Sequence, residues 1–170
     1  MNAITITDLL TPSRVLPRLR ARDKAMALQE LAAQIARDTH GSLNAILDEV
    51  LAVGDLPPFM PRGGVSLLHA LVPDMEHPMA AFARLNPPLN FGAPDGLPTD
   101  IAVLLVSPSA RPQDHLRALA CMARRLRRQD VRDLIRGTDN RDVMFIALTS
   151  NEWLTTEPQE RPCLSASPSH

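Results

Sequence analysis

Apolar residues recur at helical spacing in some stretches of this chain and in short continuous or alternating runs in others, and the two patterns take turns. Val15, Leu16 and Leu19 fall in a short extended segment whose Pro17 removes a ladder donor, which predicts an edge strand. Ala25, Leu28, Leu31, Ala32 and Ile35 then share a helical face, with Asp23 positioned to cap the first amides and Gly41 to end the helix. Leu43, Ile46, Leu47, Val50 and Leu51 repeat the pattern up to Gly54. Residues 65–71 and 79–85 read as two strands separated by a polar, proline-containing turn. After a proline-rich connection over residues 87–98, the run IAVLLV at 101–106 predicts a central strand buried on both faces, ending at Ser107-Pro108. The strongest helical pattern follows, with Leu116, Leu119, Ala120, Ala123 and Leu126 on one face and arginines opposite. Two short helices close the sequence, with Asp130 and Asp139 as caps and Val143, Ile146 and Ala147 as an apolar stripe. Strand, two helices, three strands, three helices predicts an α/β domain whose helices cover a small mixed sheet.

Composition narrows this to one domain. The chain has 170 residues, 45% hydrophobic and 22% charged, enough for a core of ordinary size. Residues 1–154 read as that domain; the tail from 155 to 170 has no periodicity and is expected to be disordered. No apolar stretch approaches the roughly 20 residues of a bilayer span, and the N-terminal segment carries Asp8 with no basic residue before its apolar positions. Neither membrane insertion nor secretion is expected, and the cytoplasm is the expected location. Cys121 lies in a helical pattern and Cys163 in the tail, which supports neither a disulfide framework nor a zinc cluster.

A formal charge of −1 argues against bulk nucleic-acid binding. Arg117, Arg124, Arg125, Arg128, Arg132 and Arg136 approximate a stripe, but 3% aromatic residues and no tyrosine leave bases little to stack on. The stripe reads as a solvated helix face, with an acidic protein partner as its other use.

Histidines supply the candidate chemistry. His40 and His170 fall at a helix end and in the tail, and His77, between Glu76 and Pro78, reads as a solvated turn residue. A metal site joining His77 to His69 and Asp74 lacks convergent spacing, so no metal is expected. His69 sits in the apolar strand GGVSLLHAL after a glycine-rich loop. It is either a core histidine satisfied by one hydrogen bond or a desolvated imidazole reachable from the loop side. His115, in QDHLRALACMARRL, lies in the first turn of the strongest helix, where free amides and the helix dipole favour an anion. Ligands collect at the carboxyl ends of strands in such sheets, so the two histidines together point to a phosphoryl site. Ser66 and Ser107 lack a Gly-x-Ser-x-Gly elbow, and Gly63-Gly64 is too short for a P-loop.

Between about Ile6 and Trp153 the chain resembles the type 2 enzyme IIA domains of the bacterial phosphotransferase system, the fructose, mannitol and nitrogen-regulatory branch. The likeness rests on DLLTPSRVL, KAMALQELAAQIA, GGVSLLHAL, ARLNPPLNFGAPDGLPTDIAVLLVSP and HLRALACMARRL. The resemblance implies a three-layer α/β/α fold and a nitrogen-regulatory-type phosphocarrier or regulator. It implies that His69 accepts a phosphoryl group from a histidine phosphocarrier protein, that His115 stabilises that group, and that no cofactor is needed. A neutral imidazole is a competent nucleophile for such a transfer.

The loop before His69 departs from the family. Val53 and Gly54 stand where an Arg-Glu pair is usual, Pro57, Pro58 and Phe59 replace small hydroxylic residues, and Leu68 replaces the proline before the active histidine. One lost charge-assisted contact to a phosphoryl group costs on the order of 1.5–3 kcal/mol. Arg62, Arg84 and Arg111 are the basic residues that could compensate. The alternative is a non-phosphorylatable interaction module with a regulatory role, whose altered loop presents Phe59 and Met60 to a protein partner.

Overall fold

The computed structural model describes residues 3–39, 41–53 and 62–150. Strands β1 (Val15–Leu19), β2 (Val65–Val72), β3 (Met79–Leu89) and β4 (Thr99–Pro108) form one sheet in the order β1-β3-β4-β2. β3 and β4 are antiparallel, while β1 runs parallel to β3 and β2 parallel to β4. β1, with Pro17, is thus an edge strand. All six residues from Ile101 to Val106 are 0% exposed, as a central strand covered on both faces requires.

Alternation along the strands sorts the core into two halves. Leu68, Ala70, Ala102, Leu104 and Val106 pack with helices α2 (Lys24–Asp38) and α3 (Leu43–Ala52) on one face. Val65, Leu67, Phe82, Val103 and Leu105 pack with α1 (Ile6–Leu9), α4 (Pro112–Leu126), α5 (Gln129–Arg136) and α6 (Arg141–Thr149) on the other. The result is a three-layer α/β/α domain with a mixed sheet.

Several local expectations shift. α1, followed by a 3-10 turn at Pro12–Arg14, precedes β1; one turn is too short to show a period, and a capping box between Thr5 and Asp8 marks its start. Asp23 caps α2 as expected, accepting from the Met26 amide at 2.8 Å, but the helix ends at Asp38, before Gly41. α5 and α6 begin from Arg128 and Asn140, not from Asp130 and Asp139. Asn140 Oδ1 accepts from the amides of Asp142 and Val143, while the Asp139 carboxylate turns away to pair with Arg84. β3 continues past residue 85 through a cis Asn86–Pro87 bond to Leu89, its ladder shifting register after Arg84.

The buried face of α4 is rotated from the expected one. His115, Ala118, Met122, Ala123, Arg125 and Leu126 face the sheet, and Leu116 is 65% exposed. Likewise Ala25 is exposed and Ala27 buried, and Met144 and Leu148 take the place of Ile146. The arginines from 117 to 136 do not form one solvated stripe. Arg125 is buried and donates to the Ser150 carbonyl, Arg132 to the Leu126 and Arg127 carbonyls, and Arg136 to Asp100.

The start of β2 is pinned from below. The Gly64 carbonyl accepts from the amides of Asp100 and Ile101 at 2.9 and 3.1 Å. Arg136 grips Asp100 through two bonds of 2.7 Å and also donates to the Gly63 carbonyl. Gly64 has φ +83°, and an added Cβ would meet Asp100 Oδ1 at 2.9 Å, so both its conformation and its surroundings demand glycine. This anchor fixes the register of β2 on β4, and with it the facing of His69.

Candidate functional site

His69 is the fifth residue of β2 and shares the face of Val65 and Leu67 beneath α4. Its register partner on β4 is Leu105, and two residues further Leu71 lies opposite Ser107, so Ser107 is on the same face near the carboxyl ends of both strands. The chain then turns at residues 108–111, with the Ser109 amide on the Val72 carbonyl and the Arg111 amide on the Pro108 carbonyl. Pro112 opens α4, where its fixed φ suits the first helical position. His115 follows in the first turn, and because helical side chains lean toward the N-terminus its ring is directed back at the strand ends.

The rings meet. His69 Nδ1 lies 3.1 Å from His115 Nε2, and His115 Nδ1 lies 2.8 Å from Ser107 Oγ. The ring centroids are 5.1 Å apart, with the planes tilted by 45°. Ser107 is fully buried and His115 nearly so, while His69 is partly exposed. Burial pushes the pKa of both imidazoles down, and for His115 the neighbouring His69 adds to the effect. Both rings are therefore neutral near pH 7. One N–H···N bond joins them, and no described residue hydrogen-bonds Nε2 of His69.

The three candidate arginines are dispersed. Arg62 is exposed in the turn before β2, at the opposite end of the strand from His69, where its charge adds a small share to the Gly63 and Leu97 amides that hold the Asp95 carboxyl down. Arg84 does not reach His69: its guanidinium donates to the Pro17 carbonyl at 3.1 Å and the Arg136 carbonyl at 3.0 Å and pairs with Asp139. It belongs to the β1 side of the sheet, committed to closing the β1–β3 edge against α5 and α6. Arg111, the exposed residue preceding α4, is the one located at the histidine end.

His77 and Asp74 are exposed and line a cavity of about 580 Å³ together with Ile46, Val72 and Met79, apart from His69. Among the described residues no group of three or more His, Cys, Asp or Glu side chains is placed to hold a metal. Phe59 and Met60, with the rest of residues 54–61, lie outside the described residues, as does the tail from 151.

Ser107 is the site residue that sequence reasoning passed over, weighed only as a nucleophile and set aside for want of an elbow. Its signal was parity: it lies two residues beyond Leu105, on the same face, at the end of the strand that delivers His115.

The arrangement is a desolvated pair of imidazoles at the carboxyl edge of an α/β/α sheet, a geometry compatible with histidine nucleophile chemistry. Residues 8–150 match the family described as the phosphoenolpyruvate-dependent sugar phosphotransferase system, EIIA 2, and the chain belongs to that family. It is 37% identical over 143 residues to a nitrogen regulatory protein of Bradyrhizobium diazoefficiens, covering 84% of this chain and 94% of that one. A nitrogen regulatory protein of Pseudomonas aeruginosa is 28% identical over 84% of this chain and 93% of its own length. Among solved structures, the nitrogen regulatory protein IIA-Ntr from Neisseria meningitidis superposes with a TM-score of 0.78 at 22% identity, over 85% of this chain and 99% of that one. IIA mannitol from Escherichia coli gives 0.69 at 13% identity, over 82% and 99%. Among the described residues no helix is long and apolar enough to cross a membrane.

Proposed function

We propose that this chain is a phosphohistidine carrier and regulator of the phosphotransferase system, of the nitrogen-regulatory kind, which takes a phosphoryl group on His69 from a histidine phosphocarrier protein. The observation that carries this reading is the 3.1 Å contact between His69 Nδ1 and His115 Nε2 in a desolvated site. With Nδ1 engaged, Nε2 is the attacking nitrogen. Its lone pair approaches phosphorus in line; the new Nε2–P bond forms as the donor's N–P bond breaks, and that electron pair returns to the donor imidazole. The positive charge that develops on the His69 ring is eased by Nδ1–H donating to His115 Nε2. The amides opening α4 and the exposed Arg111 supply donors for the phosphoryl oxygens.

Incubation with phosphoenolpyruvate, enzyme I and the phosphocarrier protein, read by intact mass, tests this. An acid-labile adduct absent from His69→Ala is expected. The second reading, a non-phosphorylatable interaction module, is favoured by Val53 standing where the family has a cation and by the exposure of Leu116 beside His115. No adduct on a folded wild-type protein would favour it and overturn the first.

A further inference from the structure

The hydrogen-bonded series Ser107–His115–His69 can be polarised in two directions, and only one leaves His69 nucleophilic. In the first, the Ser107 hydroxyl donates to His115 Nδ1, His115 donates from Nε2 to His69 Nδ1, and His69 keeps its proton on Nε2. That nitrogen then has no lone pair to offer. In the second, His69 donates from Nδ1 to His115 Nε2, His115 donates from Nδ1 to Ser107 Oγ, and His69 Nε2 is free to attack. Both rings are neutral, so each carries a single proton and the two directions are tautomers of one another.

We propose that Ser107 is a positioning residue that keeps the second direction open by accepting a hydrogen bond from His115 Nδ1–H, and so lets His69 reach its reactive tautomer. The inference rests on the phosphocarrier reading above and deepens it. The hydroxyl is fully buried and lies 2.8 Å from His115 Nδ1, close enough to accept from it. His115 is 7% exposed, so water does not readily replace the serine. Without the hydroxyl, the reactive tautomer buries an unpaired N–H donor, which is costly, whereas the other buries only an unpaired ring lone pair, which costs less. Removing the acceptor therefore drives both protons round to Nε2. The transfer itself is unchanged in its balance: Nε2–P forms, the donor's N–P bond breaks, and His69 retains its proton on Nδ1.

The test is Ser107→Ala, with Ser107→Thr as the variant that restores a hydroxyl. Imidazole tautomers are read by long-range ¹⁵N–¹H NMR, and phosphoryl acceptance from the phosphorylated carrier protein by time-resolved intact mass. Wild type is expected to populate the form with Nδ1–H on both rings. Ser107→Ala is expected to show Nε2–H on both and to accept phosphoryl about tenfold more slowly, with the concentration dependence on the carrier little changed. Ser107→Thr is expected to recover the wild-type tautomers. If the tautomers of Ser107→Ala match wild type, the proposal falls whatever the rates are. If wild type accepts no phosphoryl group while Ser107→Ala still switches tautomer, the phosphocarrier reading falls and the control of tautomer by Ser107 stands.

Discussion

Gly63 and Gly64 allow the anchor of β2 to be weighed directly. Both have positive φ, +89° and +83°, but an added Cβ meets nothing within 4 Å at Gly63, whereas at Gly64 it meets Asp100 Oδ1 at 2.9 Å, Arg136 Nη2 at 3.1 Å and the Pro98 carbonyl at 3.1 Å. Gly63→Ala therefore bears the backbone cost alone, about 1–2 kcal/mol for an L-residue in the left-handed region. Gly64→Ala adds the displacement of a two-bond ion pair and a backbone carbonyl, a further ~1–3 kcal/mol by analogy with overpacking. The first is expected to lower Tm modestly and the second by several degrees more, at about 2–4 °C per kcal/mol for a chain of this size. Urea titrations are expected to show the same order in midpoint with an unchanged slope. The consequence reaches the site, because the Gly64 carbonyl starts the register that sets His69 against Leu105 and Leu71 against Ser107. A one-residue slip would turn His69 to the α2–α3 face. If Gly64→Ala proved no less stable than Gly63→Ala, the crowded anchor would have no energetic weight and the reasoning would be wrong.

Three further outcomes are expected. Arg14 is 5% exposed and donates to the Ala80 and Leu9 carbonyls besides pairing with Asp38, so Arg14→Met should cost roughly 2–4 kcal/mol in urea unfolding; a loss below about 0.5 kcal/mol would show those carbonyls are readily resatisfied. For His115 the folded pKa is depressed by burial, so the unfolded chain binds the proton first as pH falls. Its stabilising contribution is thus full above the ordinary value of 6.5 and declines as pH drops from there through the folded value, by at most about 1.4 kcal/mol per pH unit. A His115→Asn variant with the same acid dependence as wild type would contradict this. Arg84→Gln should lose about 1–2 kcal/mol of stability yet keep its phosphoryl-acceptance rate, whereas Arg111→Gln should keep its stability and slow acceptance up to about tenfold; the reverse pattern in paired rate and melting measurements would reassign the two.

The features legible in the sequence are those set by strong one-dimensional signals. The IAVLLV run identified the central strand because burial on both faces leaves no polar position, and Asp23 identified the start of α2 because its carboxylate has a fixed geometric task. His69 and His115 could be singled out because one follows a glycine-rich loop and the other opens a helix, and the structure brings their nitrogens to 3.1 Å. What escaped depends on the third dimension. On α4 the apolar periodicity fits more than one face, and the buried one includes Arg125, whose guanidinium reaches the Ser150 carbonyl. Arg84 looked available because nothing in a linear sequence shows the Pro17 and Arg136 carbonyls converging on it. Ser107 carries no motif; its importance comes from the register that brings a strand end under the first turn of the next helix.

The central claim is that His69 Nε2 receives the phosphoryl group while Nδ1 is held by His115. Phosphorylating ¹⁵N-histidine-labelled protein with the carrier system and reading the ring nitrogens through their coupling to ³¹P tests it most directly. Phosphorus bonded to Nε2 of His69, with Nδ1 still protonated, is the expected result. Phosphorus on Nδ1 of His69, on His115 or on neither ring would contradict it.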